Sequence, residues 1–434
     1  VEKMPEKIFV ADKATLDSTF ANTKKLLEYL IPTESPIYGM IIHEADLNPA
    51  TRVEYIGANK DFIPMSMNMS THVMNYGSWG NWEWLKANKP VMANWSGGID
   101  YYLDENDYSK KAIDGTASDV SNASYAGNAM AIIKKIYTYT YKVGYDRYVL
   151  FCERKITDDF KPIGFNVLGI ERDHMLIPMF YGSIDAGGKM RSLAGQWSWG
   201  TASGNTSDTT AAANVTTEVQ NTAIKKTDAD ALFFGGALLN TLADICVMLT
   251  KSTNTQSSLG AGMSSNYVED KEQKHGTKIN TIIGGGQFYG SSDAKSFNKV
   301  FHSCVLGSQM VWQRDPYAVM VNGVIKVSPD YKYDLSGATY IDTGVTLPAN
   351  NYYATTEVVP GYGAVPRAEI TCSTATGYCD HTWVNPAITA VSLRLASCSD
   401  GLGGGLFARA FADVAADAWW SYGASLLQPQ PVTA

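Results

Sequence analysis

Along residues 11–30 the apolar positions Leu16, Phe20, Leu27 and Leu30, with Thr23 among them, recur at spacings of four and three. That period predicts a helix with one apolar face. Two heptads are too few for a coiled coil, so the helix is expected to lie on its own fold or on a neighbouring subunit. From Ile37 to about Gly127 the pattern shortens to short strands and tight turns, with Ser96-Gly97-Gly98 and Asp114-Gly115 as turn signals. Within 131–152, Ile136, Thr138 and Thr140 alternate with Tyr137, Tyr139 and Tyr141. Gly144-Tyr145-Asp146 turns the chain and Tyr148-Val149-Leu150-Phe151 returns it, which predicts a β-hairpin opening a second domain.

Residues 185–226 are a polar Gly/Ser/Thr/Ala run, expected to be a surface excursion. Thr227 with Asp230 resembles a capping box, starting a helix to about Thr250 with Leu238, Leu242, Ile245 and Leu249 on its buried face. Residues 252–297 are loop-rich, and strands alternate with turns from Lys299 to the end. Without a βαβ rhythm there is little sign of a parallel sheet. The chain therefore reads as α+β and mainly β. It divides into an N-terminal helix and assembly segment (1–35), a small β-rich domain (36–127) and a larger domain (128–434).

Composition narrows the class. Charged residues are 18% of the 434 and aromatics 11%, a profile suited to a β-rich, loop-rich extracellular or virion protein. A net charge of −8 lacks the basic footprint of a nucleic-acid partner. No window of about twenty residues is apolar enough to span a membrane. Of six scattered cysteines only Cys372 and Cys379 are close enough in sequence to suggest a local pair; buried free thiols are the simpler reading.

Candidate chemistry is sparse. The six histidines lie far apart, none in a metal-ligand spacing. His174 and His381 each neighbour an Asp, yet a hydrogen-bonded structural role is the simpler one. Gly187-Gly188-Lys189 lacks the spacing of a phosphate loop, and no Ser lies in a nucleophile elbow. Asp104-Glu105 and Asp158-Asp159 read as loop residues, not as a carboxylate dyad. Trp79, Trp82 and Trp84 could form a sugar-stacking platform, although such clusters are more often core. No catalytic residue, metal or cofactor is expected.

The segment 394–427 stands apart. It consists mostly of Ala, Gly, Ser, Asp, Leu and aromatics, with glycines at 401, 403, 404, 405 and 423, and it has no Lys, Glu, Gln, Met, Thr, Asn or Pro. A regular helix would not hold those glycines, and a solvated tail would carry more charge. Binding surfaces share this composition, because aromatics give contact area at low entropy cost while Ser, Gly and Asp adapt.

Ser397-Cys398-Ser399-Asp400-Gly401, Gly405-Leu406-Phe407 and Trp420-Ser421-Tyr422-Gly423-Ala424-Ser425-Leu426 resemble the variable segment of diversity-generating-retroelement target proteins of gut phages, the class of the phage major tropism determinant. The likeness extends more loosely over residues 37–127 and 227–323. It implies a C-terminal C-type-lectin domain of the formylglycine-generating-enzyme type, without that enzyme's catalysis. It also implies a frame of Gly401, Gly405, Phe407, Trp420, Gly423 and Leu426, with Phe407, Trp420 and Leu426 in the core. Ligand-facing positions would be Ser399, Asp400, Leu402, Gly403, Ala408, Ala410, Phe411, Asp413, Asp417, Trp419, Ser421 and Tyr422, with Phe411, Trp419 and Tyr422 as anchors. The paired glycine usual before such a segment is Leu395-Ala396 here. The implied function is a non-catalytic phage receptor-binding adhesin, displayed on the virion as a tail fibre or other appendage. It would be a homotrimer binding a bacterial cell-surface protein or glycan, with its N-terminal region on other virion proteins. Alternatives are a structural virion protein, a protein of the bacterial cell surface, or a glycan-active enzyme using the Trp-rich region.

Overall fold

A computed structural model describes residues 36–196, 215–265, 284–419 and 421–432. The helix expected over 11–30 lies outside these residues, as does Trp420. With 35% strand against 13% helix the chain is mainly β. Three sheets carry the architecture, and each is assembled from distant stretches of sequence.

The predicted hairpin forms from Tyr137–Val143 and Asp146–Cys152, with Gly144 at a φ of 62° in the turn. Its second strand pairs antiparallel with Tyr38–His43, which in turn pairs with Val53–Gly57. Alternation explains the two faces. Met40, Ile42, Val149 and Phe151 enter the main core, while Tyr141, Tyr148 and Leu150 form a smaller cluster on the reverse. Tyr141 and Tyr148, opposite in register, stack with ring centroids 4.7 Å apart.

A six-stranded sheet runs in the order Leu232–Phe233, Leu426–Pro429, His174–Pro178, Gly127–Lys134, Pro90–Asn94, Ile99–Tyr102. The boundary anticipated between 127 and 128 thus falls inside a strand whose neighbours come from both sides of it. The third sheet orders Ile341–Thr346, Val324–Val327, Trp312–Val321, Ala390–Arg394, Arg409–Phe411, His381–Val384 and Tyr352–Tyr353. Two of its pairings are parallel, His381–Val384 with Arg409–Phe411 and Trp312–Gln313 with Tyr422–Gly423. Little in the sequence signals these parallel contacts, because among the described residues no α-helix lies between the paired segments and the chain passes through other strands instead.

At the centre lies the helix Gly236–Thr250, with all fifteen residues buried, as befits a helix apolar nearly all round. The anticipated capping box does not form. Thr227 ends a separate helix, Thr217–Thr227, and its hydroxyl donates back to Ala223 O (3.2 Å) and to Met190 O (2.8 Å). Part of the polar run 185–226 is therefore packed helix, with Gln220, Ala223 and Ile224 buried. The central helix starts at Gly236, whose N–H donates to Asp315 Oδ1 at 2.9 Å. Its one acid, Asp244, receives a bidentate pair from Arg147 at 2.8 and 2.9 Å. Arg147 also donates to Tyr378 Oη at 3.0 Å, so the pair ties hairpin, helix and the 378 region together.

Trp79, Trp82 and Trp84 are core, packed against one another and against Tyr38 and Phe301, and so form no exposed platform. All six cysteines are buried and free. Among the described residues no helix is long and apolar enough to cross a membrane.

Candidate functional site

The segment 394–427 leaves the third sheet at Arg394, makes two loops around the short strand Arg409–Phe411, and ends in the second sheet. It enters through a strained corner. Leu395 and Ala396 sit at φ of 72° and 62°, in the left-handed region where glycine is the unstrained residue. These are the two positions at which the resembled proteins carry paired glycine.

The first loop is then fixed from several sides. Asp400 Oδ2 accepts from both the N–H and the hydroxyl of Ser397, each at 2.7 Å, closing the turn on itself. Burial pushes the Asp400 carboxyl up, and the Ser397 donors oppose that. Gln256 donates from one amide nitrogen toward Gly401 O (2.8 Å) and Gly404 O (2.6 Å), while Gly401 N–H donates to Ser264 O. Gly401 needs its φ of 58° for this short 3-10 turn. At Gly405 a side chain is impossible as the neighbours stand: a methyl there would lie 2.5 Å from Asp380 Cγ and closer to both its oxygens. Asp380 is buried and accepts from Phe407 N–H at 2.7 Å. Burial raises its carboxyl well above the usual range, although the Phe407 and Ala408 N–H groups pull the other way.

The second loop hangs on Arg314. This buried guanidinium donates to Asp417 O and to Thr217 Oγ1 (2.9 Å), and it sits 5.4 Å from the centroid of the Tyr422 ring. Desolvation brings the Arg314 pKa down to about 10, against Tyr422, Asp413 and Asp417, which raise it. Asp417 Oδ2 receives Val414 N–H at 2.8 Å. Asp413 is raised by burial, with a hydrogen bond from Tyr422 opposing.

The twelve positions anticipated to face a ligand therefore separate. Ser399, Leu402 and Trp419 are exposed, Leu402 at 67% and Trp419 at 55%. Asp400, Asp413, Asp417, Ser421 and Tyr422 are half-buried, and the three acids among them are engaged in holding the loops. Gly403, Ala408, Ala410 and Phe411 are buried, contrary to expectation. Phe411 lies in the apolar cluster under the third sheet. Ala408 and Ala410 form, with Leu393, the small-residue floor beneath Trp312 and Trp383. Ala410 and Phe411 lie on a strand paired on both sides, with Ala410 in one apolar cluster and Phe411 in another, whereas Ala408 directly precedes that strand and Gly403 ends the 3-10 turn. Of the anticipated frame, Leu426 is fully buried and Gly423 packs against Val311 and Trp312, whereas Phe407 is only half-buried.

Over that alanine floor lies a strip that sequence reading missed. Tyr353 packs on His381 (4.7 Å), His381 on Trp383 (4.3 Å) and Trp383 edge-on to Trp312 (5.1 Å). Trp312 pairs in register with Tyr422. Gly403 abuts His381, Trp383 and Tyr353, and Tyr422 N–H donates to Trp419 O. The strip thus runs from the turn bearing Leu402 to the turn bearing Trp419. All but Trp312 are half-buried, and burial lowers the His381 pKa. The His-Thr-Trp alternation at 381–383 was the available signal, since period two places both rings on one face.

No protein-family model matches the chain, and no curated protein is significantly similar to it. Among the described residues no group of three or more His, Cys, Asp or Glu is arranged to hold a metal.

Proposed function

We propose that this chain is a phage receptor-binding adhesin carried on the virion, whose 394–427 segment presents a diversified, non-catalytic binding surface. In this reading the C-terminal part is a C-type-lectin domain of the formylglycine-generating-enzyme type. The N-terminal region attaches to other virion proteins, and three copies give avidity to individually weak contacts. The observation that carries the reading is the mounting of the exposed side chains. Ser399, Leu402 and Trp419 project from loops whose backbone is held by Gln256, Asp380 and Arg314, none of which lies between residues 395 and 427. Leu402 and Trp419 can change with little effect on stability, since the bonds that hold the loops run through other residues. The left-handed Leu395-Ala396 corner, where the resembled proteins place glycine, supports the same reading.

The decisive experiment is on the flanking DNA. A near-copy of the sequence encoding 394–427, beside a reverse-transcriptase gene and differing at template adenines, is the expected finding. A locus with neither would overturn the diversified-adhesin reading.

A further inference from the structure

Apart from the 394–427 segment, one side-chain chain runs from the core to a cavity wall. Lys299 is fully buried and directs its ammonium at three acceptors, Tyr108 Oη (2.9 Å), Gly284 O (2.5 Å) and Gly286 O (2.7 Å). All three of its hydrogens are thereby engaged. Tyr108 Oη accepts from Lys299 and lies 2.7 Å from His302 Nδ1 and 3.2 Å from Gly286 O, the two groups that can receive its single hydrogen. When Nδ1 accepts, the ring proton sits on Nε2, which among the described residues has no partner within hydrogen-bond distance. Nε2 faces Glu105 Oε2 at 3.6 Å, outside hydrogen-bond reach. Burial drives the His302 pKa down to about 4, so at neutral pH the ring is uncharged. His302 and the preceding Phe301 hold left-handed φ of 63° and 53°. Such strain persists only where the surroundings over-determine it, and it is enriched at functional sites.

Glu105 is the outer end of this chain and is in part exposed. It lines a cavity of about 220 Å³ together with Tyr76, Lys86, Asn88, Lys89 and Gln287. Lys89 pairs with its other oxygen. Burial raises the Glu105 carboxyl, but His302 and then the Lys89 ammonium outweigh that and hold it below the usual carboxylate range. Gln287 has given both its amide hydrogens to Leu85 O and Asn88 Oδ1. Its carbonyl, reached by Tyr76 Oη at 3.3 Å, keeps a free lone pair. The wall thus offers fixed acceptors, two ammonium groups and a tyrosine ring, with Lys89 balanced by Glu105 and Lys86 by Glu83.

That lining selects its occupant. It is too polar for an apolar ligand and carries no unbalanced cluster of positive charge for a polyphosphate. The volume is below the roughly 300–1,000 Å³ of pockets for drug-sized ligands, which limits the guest to one small ring. We propose that the cavity is a second binding site that takes a single neutral sugar residue, its hydroxyls received by Glu105, Lys89 and Gln287. Tyr108 and His302 act as positioning residues behind Glu105.

The test is titration of the full chain with a panel of neutral hexoses, with hexosamines and hexuronic acids as comparators, followed by calorimetry and ligand-observed NMR. At least one neutral hexose should bind saturably. Glu105→Gln should weaken it tenfold or more with an unchanged melting temperature, and Lys89→Met, at an equally exposed site, should also weaken it. Tyr108→Phe, which removes the hydroxyl joining Lys299 to His302, should weaken it about threefold, and Trp419→Ala should leave it unaffected. Absence of saturable binding by every neutral hexose, or binding that both Glu105→Gln and Lys89→Met leave intact, would overturn the proposal. Because Trp419 serves only as a control, this outcome is separate from the fate of the adhesin reading.

Discussion

Replacing Gly405 with alanine tests whether the first loop of the 394–427 segment is a rigid frame. The new methyl would lie 2.5 Å from Asp380 Cγ, at a residue whose φ is 152°. Asp380 cannot withdraw without abandoning Phe407 N–H, and a buried donor left unpaired costs about 1–3 kcal/mol. Backbone strain at such a φ adds roughly 1–3 kcal/mol. Gly405→Ala should therefore destabilise the fold by about 3–5 kcal/mol. Asp380→Ala alone should cost about 1–3 kcal/mol, since it removes the acceptor but no steric support. In the double variant the clash is gone, so its cost should exceed that of Asp380→Ala only by the strain, leaving a coupling near −2 kcal/mol. Urea unfolding followed by tryptophan fluorescence measures all four corners of this cycle. Costs that add to within about 0.5 kcal/mol, or a Gly405→Ala protein as stable as the parent, would refute the steric reasoning.

Further predictions follow from the same geometry. Asp380 has its carboxyl raised in the folded state, so the folded chain binds the extra proton and stability falls as pH rises above the unfolded value of about 3.9. Asp380→Asn should remove that decline, and its advantage over the parent should grow from pH 4 to 7; a constant difference across unfolding curves would contradict it. Phe411→Ala, at a fully buried site, should cost about 3–5 kcal/mol, whereas Leu402→Ala, two-thirds exposed, should cost under about 1 kcal/mol. Paired thermal melts will distinguish them, and equal losses would mean that the loop is not surface. On the proposed adhesin function, Trp419→Ala should reduce virion attachment to host cells at least tenfold while expression and melting change little. Asp244→Ala takes the bidentate partner from the buried Arg147 guanidinium, leaving it Glu44 at 3.9 Å and Tyr378, and should cost about 3 kcal/mol in urea unfolding.

Local pattern was enough to read several parts of this molecule. The hairpin of alternating tyrosines, the apolar helix ending near Thr250, the β-rich character and the turn glycines of 394–427 each depend on residues close in sequence, where periodicity and φ preference act directly. The rest required distant partners. Nothing near Gly405 announces that Asp380 will occupy the space of its absent side chain. Nothing near Ala408 and Ala410 says that two tryptophans from other strands will cover them. Thr227 looks like a cap until Met190 O draws its hydroxyl inward, and Glu105 looks like a loop acid until His302, 197 positions later, stands behind it. Composition could separate frame from variable surface in principle. Only tertiary packing decided which side chains of that segment face water: the sheet that Arg409–Phe411 joins buries Ala410 and Phe411, while Leu402 and Trp419 stand on the loops outside it.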